Sequence, residues 1–399
     1  MAEADSACVP AEFREPEPFA LAAAGQQLCF YPAGKDRREA MMAMLRGARR
    51  SLKLCFYIFA EDEVSRAVRD ALAEAAARGV AVTLIIDRFG AAASNKFLAP
   101  IREAGGAFHC FSSRWSTRYL IRNHQKMIIA DDTRAMFGGF NIEDDYFGSP
   151  QSNAWSDLAI SVEGPAVAGL VQWFEKLCGW TDDDGSPPRF RDINRAVARW
   201  DWSIEAGGGR ARWLVGGPTR GLSTWARCVI RDMKNGERLD MLMAYFSPPS
   251  HLMRRIGRIA KKGKTRLVMA GKSDNNATIG ASRSLYRFLL KRGARIWEFT
   301  PTKLHTKLIV LDDTVYLGSA NFDMRSLYLN LELMLEVKDA ALADRMRQFV
   351  TDHIAASEEI TPALHKARAT PWNRFRWWLG WVLVSVIDYT VSRRLNLGL

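Results

Sequence analysis

Two stretches of this chain repeat each other, and together they limit what it can fold into more than any other feature. Residues 124 to 141 read HQKMIIADDTRAMFGGFN and residues 305 to 321 read HTKLIVLDDTVYLGSAN. Each is a His-x-Lys-x-x-x-x-Asp run followed by Asp-Thr, an apolar strand, a small-residue turn and an Asn. From average residue usage, a Lys two places and an Asp seven places after a His coincide roughly once in a few hundred histidines. One copy is weak evidence, but two copies with matching landmarks behind them imply an internal duplication.

Alternation along a strand puts His124 with Lys126, and His305 with Lys307, on one face. An imidazole near neutral pH serves as nucleophile or proton donor. A fixed lysine supplies the charge that a phosphoryl oxygen needs as its own charge develops. Two such pairs facing one another would provide a nucleophile, an acid and two cations around one phosphodiester.

The repeat reaches beyond the motifs. A helical pattern at 38 to 50 and a strand at Leu52 to Phe59 correspond to Leu222–Met233 and Leu239–Phe246. Further helix and strand pairs precede each motif, a pattern that predicts one largely parallel or mixed sheet per half with helices on both faces. The expected fold class is α/β, with two similar domains. Residues 1–26 read as a flexible leader, 27–185 and 213–370 as the domains, and 186–212 as a linker rich in Gly, Arg and Pro. Residues 371–399 read as a membrane-associating tail.

The chain has 399 residues, 48% of them hydrophobic, enough for two cores, and a formal charge of +12 that favours a polyanionic partner: anionic lipid, nucleic acid or a phosphate-bearing substrate. Its six cysteines show no CxxC or metal-ligand spacing and read as reduced core residues. The acidic start has neither the basic residues nor the apolar run of a signal peptide. The run Arg254 to Lys264 is basic enough to touch headgroups or nucleic acid, and reads equally well as a solvated helix face.

In the tail, the apolar run Trp377 to Ile387 makes a helix on the order of 17 Å, short of the roughly 30 Å hydrocarbon core. Arg374, Ser385, Asp388, Ser392 and Asn396 share one side. That pattern predicts an amphipathic helix lying in a membrane surface, with a terminal helix packed on the core as the alternative.

The paired HxKxxxxD runs with their trailing Asn resemble the phospholipase D superfamily. GGFN in the first half and LGSANFDMRSLYLNLE in the second are most similar to the bacterial cardiolipin synthases. The resemblance implies two phospholipase D-like domains about a pseudo-twofold axis, with the site in the cleft between them. His124, Lys126, Asp131, His305, Lys307 and Asp312 are then the catalytic set, the two aspartates serving more as supports. Asn141 and Asn321 bind substrate, and Asp157 and Glu332 orient the histidines. It also implies double displacement with His124 as nucleophile and His305 as acid and base, needing no cofactor and no metal. The one acidic run, Asp182 to Asp184, sits in the linker and reads as solvated. The expected activity is transfer of a phosphatidyl group to phosphatidylglycerol at an anionic membrane surface, on the cytoplasmic face of a bacterial inner membrane. Rival readings are a phospholipase D hydrolase, a nuclease of the same superfamily, and a membrane scaffold with inactive motifs. The Trp-rich tail and the lack of a recognisable nucleic-acid module weigh against nucleic acid. Intact His-Lys pairs weigh against the scaffold.

Overall fold

The computed structural model describes residues 13–111, 121–181, 190–219 and 221–387. Asp182 to Asp184, Cys8 and the tail beyond residue 387, including Asp388, Arg393 and Arg394, lie outside the described residues. The first half forms an eight-stranded mixed sheet. From one edge its strands run Phe19–Ala23, Gln26–Tyr31, Ala159–Glu163, Arg134–Gly138, Met127–Ala130, Ser51–Phe56, Ala81–Asp87 and Ala107–Phe111. The last three are parallel and the others pair antiparallel.

The second half repeats that order strand for strand, from Trp202–Ala206 to Arg295–Phe299, and adds Ser357–Glu359 at the far edge. The duplication therefore includes the opening hairpin of each half, which the composition hides. Ala24 and Gly25 (φ 48° and 72°) turn one hairpin, and Gly207 and Gly208 (59° and 75°) turn the other. Such two-residue turns need positive φ at both positions, so a Gly-rich hairpin tip looks like a linker in sequence. The structure thus differs from the expected leader and linker: Phe19–Ala23 and Trp202–Ala206 are sheet strands, and Phe13 stacks edge-on against Phe299 at 4.8 Å.

Strand alternation assigns the faces. Ile128 and Ala130 face a layer of helices that includes Gly34–Gly47 and Glu63–Ala77, while Met127 and Ile129 face a central core. That central core also takes Leu308 and Val310 from the second sheet, with Trp173 of helix Ala166–Cys178 and Met346 of helix Ala340–Ala355 between the sheets. Helices Thr224–Asn235, Ser250–Ala260 and Asn276–Leu290 cover the outer face of the second sheet. Each Leu, Ile or Phe in the shared layer contributes about 1.5–3 kcal/mol by burial, so the halves are joined by a core rather than by a linker alone. Trp213 illustrates the joint: its ring meets Phe137 at 5.0 Å and its Nε1 donates to the Ala166 carbonyl at 2.7 Å.

The tail begins with Thr370, whose hydroxyl accepts from the Asn373 amide, and Pro371. Helix Pro371–Trp381 continues as a π-helical turn through Ile387 and packs along helix Asn276–Leu290. Gly380 permits the close approach, since a Cβ there would meet the Ala277 carbonyl at 2.8 Å. The packed side carries Gly380 and Ser385, while Trp372, Phe375, Trp378, Leu379 and Leu383 are exposed. Ser385 therefore lies on the packed side and Arg374 in solvent, unlike the shared polar side expected from the sequence. Among the described residues no helix is long and apolar enough to cross a membrane.

Candidate active site

Both histidines sit where a chain leaves one half to pair with the other. The His124 amide donates to the Leu331 carbonyl at 2.9 Å, beside a parallel bridge between Asn123 and Leu331. The His305 amide donates to the Ser156 carbonyl at 2.7 Å, where Lys303–Leu304 pairs in parallel with Trp155–Ser156. These backbone ties carry each imidazole across to the carboxylate of the opposite half. His124 Nδ1 lies 3.1 Å from Glu332 Oε2, and His305 Nδ1 lies 2.7 Å from Asp157 Oδ2. Asp157 and Glu332, expected as orienting acids, thus meet the histidines in crossed pairs.

The lysines fold back on the same turns. Lys126 Nζ donates to the His124 carbonyl at 2.6 Å, and Lys307 Nζ donates to the His305 carbonyl. Lys307 Nζ is also 2.8 Å from His305 Nδ1. One ring hydrogen can serve only one neighbour. Asp157 is the acceptor, so Nδ1–H donates to it and Lys307 stands beside the ring as a bare charge. With Nδ1–H bound to a carboxylate, Nε2 of each ring keeps the lone pair free.

Burial sets the charge states. It pushes His124 down to about 4, with Glu332 opposing and Lys126 and Lys307 adding to the shift. Burial, then Lys307, takes His305 down to about 3, with Lys126 contributing. The influence of each lysine on the other half's histidine means that the four groups share one field. Burial also lowers Lys126 to about 7 and Lys307 to about 8. Asp157 would be raised by burial, but His305, Lys307 and Arg37 outweigh that and hold it below the usual carboxylate range. Near neutral pH the empty site holds two neutral imidazoles and two lysines poised to ionise fully against a phosphodiester.

The two halves are built unequally around this frame. Asn141 is engaged, its Oδ1 accepting from the Ile58 amide at 3.1 Å and its Nδ2 donating to Tyr146 Oη at 3.0 Å. Asn321 is buried with its Oδ1 unpartnered. His305 is boxed by Tyr146 and Trp155, each ring 5.1 Å away, and Tyr146 Oη is 3.4 Å from its Nε2. His124 faces Tyr57 at 5.0 Å instead.

Asp131 and Asp312 are not brought to this cluster, and their expected place in the catalytic set is corrected by the geometry. Each sits at the far end of its motif strand in a turn with positive φ, 55° and 49°. Asp131 Oδ1 accepts from the amides of Arg49, Arg50 and Ser51, and Asp312 Oδ1 from those of Glu237 and Arg238. Both aspartates tie the motif turn to the entry of the neighbouring strand.

Three contributors escape a motif reading. Ser319 Oγ donates to Glu332 Oε2 at 2.5 Å, and its place in Gly-Ser was a signal. Arg37 is fully buried, donating to the Asp157 carbonyl at 2.7 Å and to the Tyr146 carbonyl through Nε at 3.0 Å. An Arg four residues before Met41 on an apolar helical stripe was its signal. Tyr146 has no sequence signal, because the stretch after Asn141 differs in sequence from that after Asn321.

Comparison with known proteins agrees with this geometry. Residues 41–178 and 229–353 match the family described as cardiolipin synthase, PLD-like domain. Cardiolipin synthase A of Pseudomonas fluorescens is 29% identical over 333 residues, covering 81% of this chain and 67% of that protein. The enzyme of that name from Pseudomonas syringae pv. syringae is 28% identical over 338 residues, covering 82% and 68%. The fold is shared with phosphatidylserine synthase of Haemophilus influenzae Rd KW20, at a TM-score of 0.70 and 15% identity over 92% of this chain and 93% of that one. Polyphosphate kinase from Porphyromonas gingivalis is more distant, with a TM-score of 0.54, 15% identity, and coverage of 86% and 52%. With both motif regions matched and both His-Lys pairs assembled in one site, the chain belongs to the phospholipase D-like family of the cardiolipin synthases.

Proposed function

We propose that this protein is a cardiolipin synthase, a phosphatidyltransferase that moves a phosphatidyl group from a donor phospholipid to phosphatidylglycerol. The observation that carries the reading is the crossed pair of imidazoles, each with Nδ1 on a carboxylate of the opposite half and a lysine at its side. In the first step His124 Nε2 attacks phosphorus, and the bond from phosphorus to the leaving alcohol breaks. The departing oxygen takes its proton from Nε2 of His305, which acts here as the imidazolium that the negative phosphodiester and Asp157 favour and that the second step regenerates, and a phosphohistidine is left on His124. In the second, His305 accepts the proton of the glycerol hydroxyl of phosphatidylglycerol as that oxygen attacks phosphorus and His124 departs. Tyr146 Oη beside His305 Nε2 suits the histidine that handles protons.

Lys126, Lys307, Asn141 and Asn321 are assigned to the phosphoryl oxygens, where lysinium charge stabilises what develops in the transition state. Tyr146 and Trp155 set their rings against His305, the histidine that in this reading deprotonates the acceptor hydroxyl. The place of action in this reading is an anionic membrane surface, on the cytoplasmic face of a bacterial inner membrane, with the tail helix against it.

The test is to incubate the purified chain with vesicles containing phosphatidylglycerol and to follow products by mass spectrometry. Cardiolipin is expected, and His124→Ala and His305→Ala should each abolish it. Phosphatidic acid as the main product would replace transfer with hydrolysis, and degradation of single-stranded DNA instead of lipid would favour the nuclease. Prolonged chelation should leave most of the activity, since the lysines are the electrophiles; loss restored only by a divalent ion would refute that role.

A further inference from the structure

Helix Asn276–Leu290, helix Pro362–Arg368 and helix Pro371–Trp381 enclose a cavity of about 850 Å³ that none of the catalytic cluster lines. Leu290 and Trp377 give it an apolar lining, and Phe375 and Trp378 line it while also facing solvent. Arg287, Lys291, Lys366 and Arg374 add four cations to its wall. Arg283 also lines it, but its charge is met by a bidentate pair to Glu298 at 2.8 and 2.7 Å. Those four have no carboxylate partner among the described residues, and all four are exposed.

The neighbouring surface indicates where the anion comes from. Five of the seven large hydrophobic side chains exposed among the described residues lie on this helix and its continuation: Trp372, Phe375, Trp378, Leu379 and Leu383. Most of them follow i, i+3, i+7, i+11 spacing, one face of a helix. Its opposite face is fixed against helix Asn276–Leu290 at Gly380, so the aromatic face is held in place. A soluble phosphate or nucleotide has no use for such a face. A membrane phospholipid has use for both, phosphate for the cations and acyl chains for the aromatics.

We propose that this cavity is a headgroup site for an anionic phospholipid of the membrane surface, separate from the catalytic site. The phosphate is held by Arg287, Lys366 and Arg374, and the acyl chains leave past Phe375 and Trp378 into the leaflet that Trp372 and Leu379 enter. The site rests on the reading of this chain as an enzyme of membrane phospholipids and adds to it a docking lipid that is not consumed.

The test uses the full chain and the double variant Arg287→Glu/Lys366→Glu, with Lys96→Glu/Lys234→Glu, both exposed, as a control of equal charge change outside the cavity. Co-sedimentation is measured with vesicles of phosphatidylcholine alone and of phosphatidylcholine with phosphatidylglycerol, and turnover with a short-chain, water-soluble phosphatidylglycerol. The cavity variant should bind the anionic vesicles roughly tenfold more weakly than wild type. The control should bind as wild type does, and all three should turn over the soluble substrate alike, with equal melting temperatures. Equal loss in the control would reduce the effect to overall charge and overturn the site, as would unchanged binding by the cavity variant. If the wild type makes no cardiolipin yet the vesicle pattern holds, the activity falls and the site stands. If cardiolipin is made and the vesicle affinities are equal, the site falls alone.

Discussion

Gly139 and Ser319 occupy equivalent places behind the two motif strands, and the space each leaves decides which carboxylate fits. A Cβ at Gly139 would lie 2.6 Å from Asp157 Oδ2, whereas Ser319 uses its side chain to bind Glu332. Gly139→Ala should therefore displace Asp157 from His305 and lower kcat roughly a hundredfold with KM little changed; wild-type kcat in that variant would show that the acid does not position the ring. Glu332→Gln should cost more, roughly a thousandfold, because the amide no longer fixes the tautomer or meets the charge on His124. The lysines set a pH signature. Their charged forms are needed, and values lowered to about 7 and 8 mean that charge is complete below that range and lost as pH rises through it. His124, lowered to about 4, is a free nucleophile above that value. On a soluble substrate kcat/KM is expected to fall further as pH rises through about 7 and 8, where the lysines lose their charge. A profile still rising at about pH 9 would remove the lysines from the role.

At the scale of elements, the aspartate end of each motif does mechanical work. Asp312 holds a turn with φ 49°, its carboxylate receives two backbone amides, and its carbonyl receives Arg347, which also reaches Asp240 at 3.2 Å. Asp312→Ala should destabilise by about 1–2 kcal/mol, chiefly through an Ala strained at positive φ, whereas Asp312→Asn, which tolerates that φ, should cost less. Turnover per folded molecule should stay near wild type in both, as thermal melts paired with active-site titration would reveal. The His-Lys spacing and the duplicated helix and strand order were legible in the sequence because each rests on local periodicity or spacing, and the acids after each Asn were reached through the resemblance to a known family. The hairpins were not, since Ala-Gly and Gly-Gly turns carry the same composition as a linker. Nor was the docking of the tail, whose apolar pattern is the same for a helix buried against Gly380 and Ala277 as for one lying in lipid. Here one side of the helix is packed and the other leaves its aromatic side chains exposed.

The whole molecule behaves as one body because its central layer belongs to both halves. Met127, Ile129, Trp173, Trp213, Leu308 and Met346 share one apolar cluster, so calorimetry should show a single transition with calorimetric and van't Hoff enthalpies in agreement. Two separated transitions would mean that the halves hold only loosely. The crossing of the carboxylates, 148 and 208 residues from their histidines, was invisible to local pattern for the same reason that it matters: it exists only when both halves are present. That arrangement restricts inheritance. After a duplication, two copies ordinarily drift apart because either can absorb change while the other works. Here neither copy owns a complete histidine, and a lesion in one is felt by the chemistry of the other. The stretches that follow the two Asn residues do differ, Asp144–Tyr146 forming a 3-10 turn in one half and Met324–Tyr328 a short helix in the other. A history of substrate choice in this protein would be written in those two stretches, with the histidines as its fixed margin.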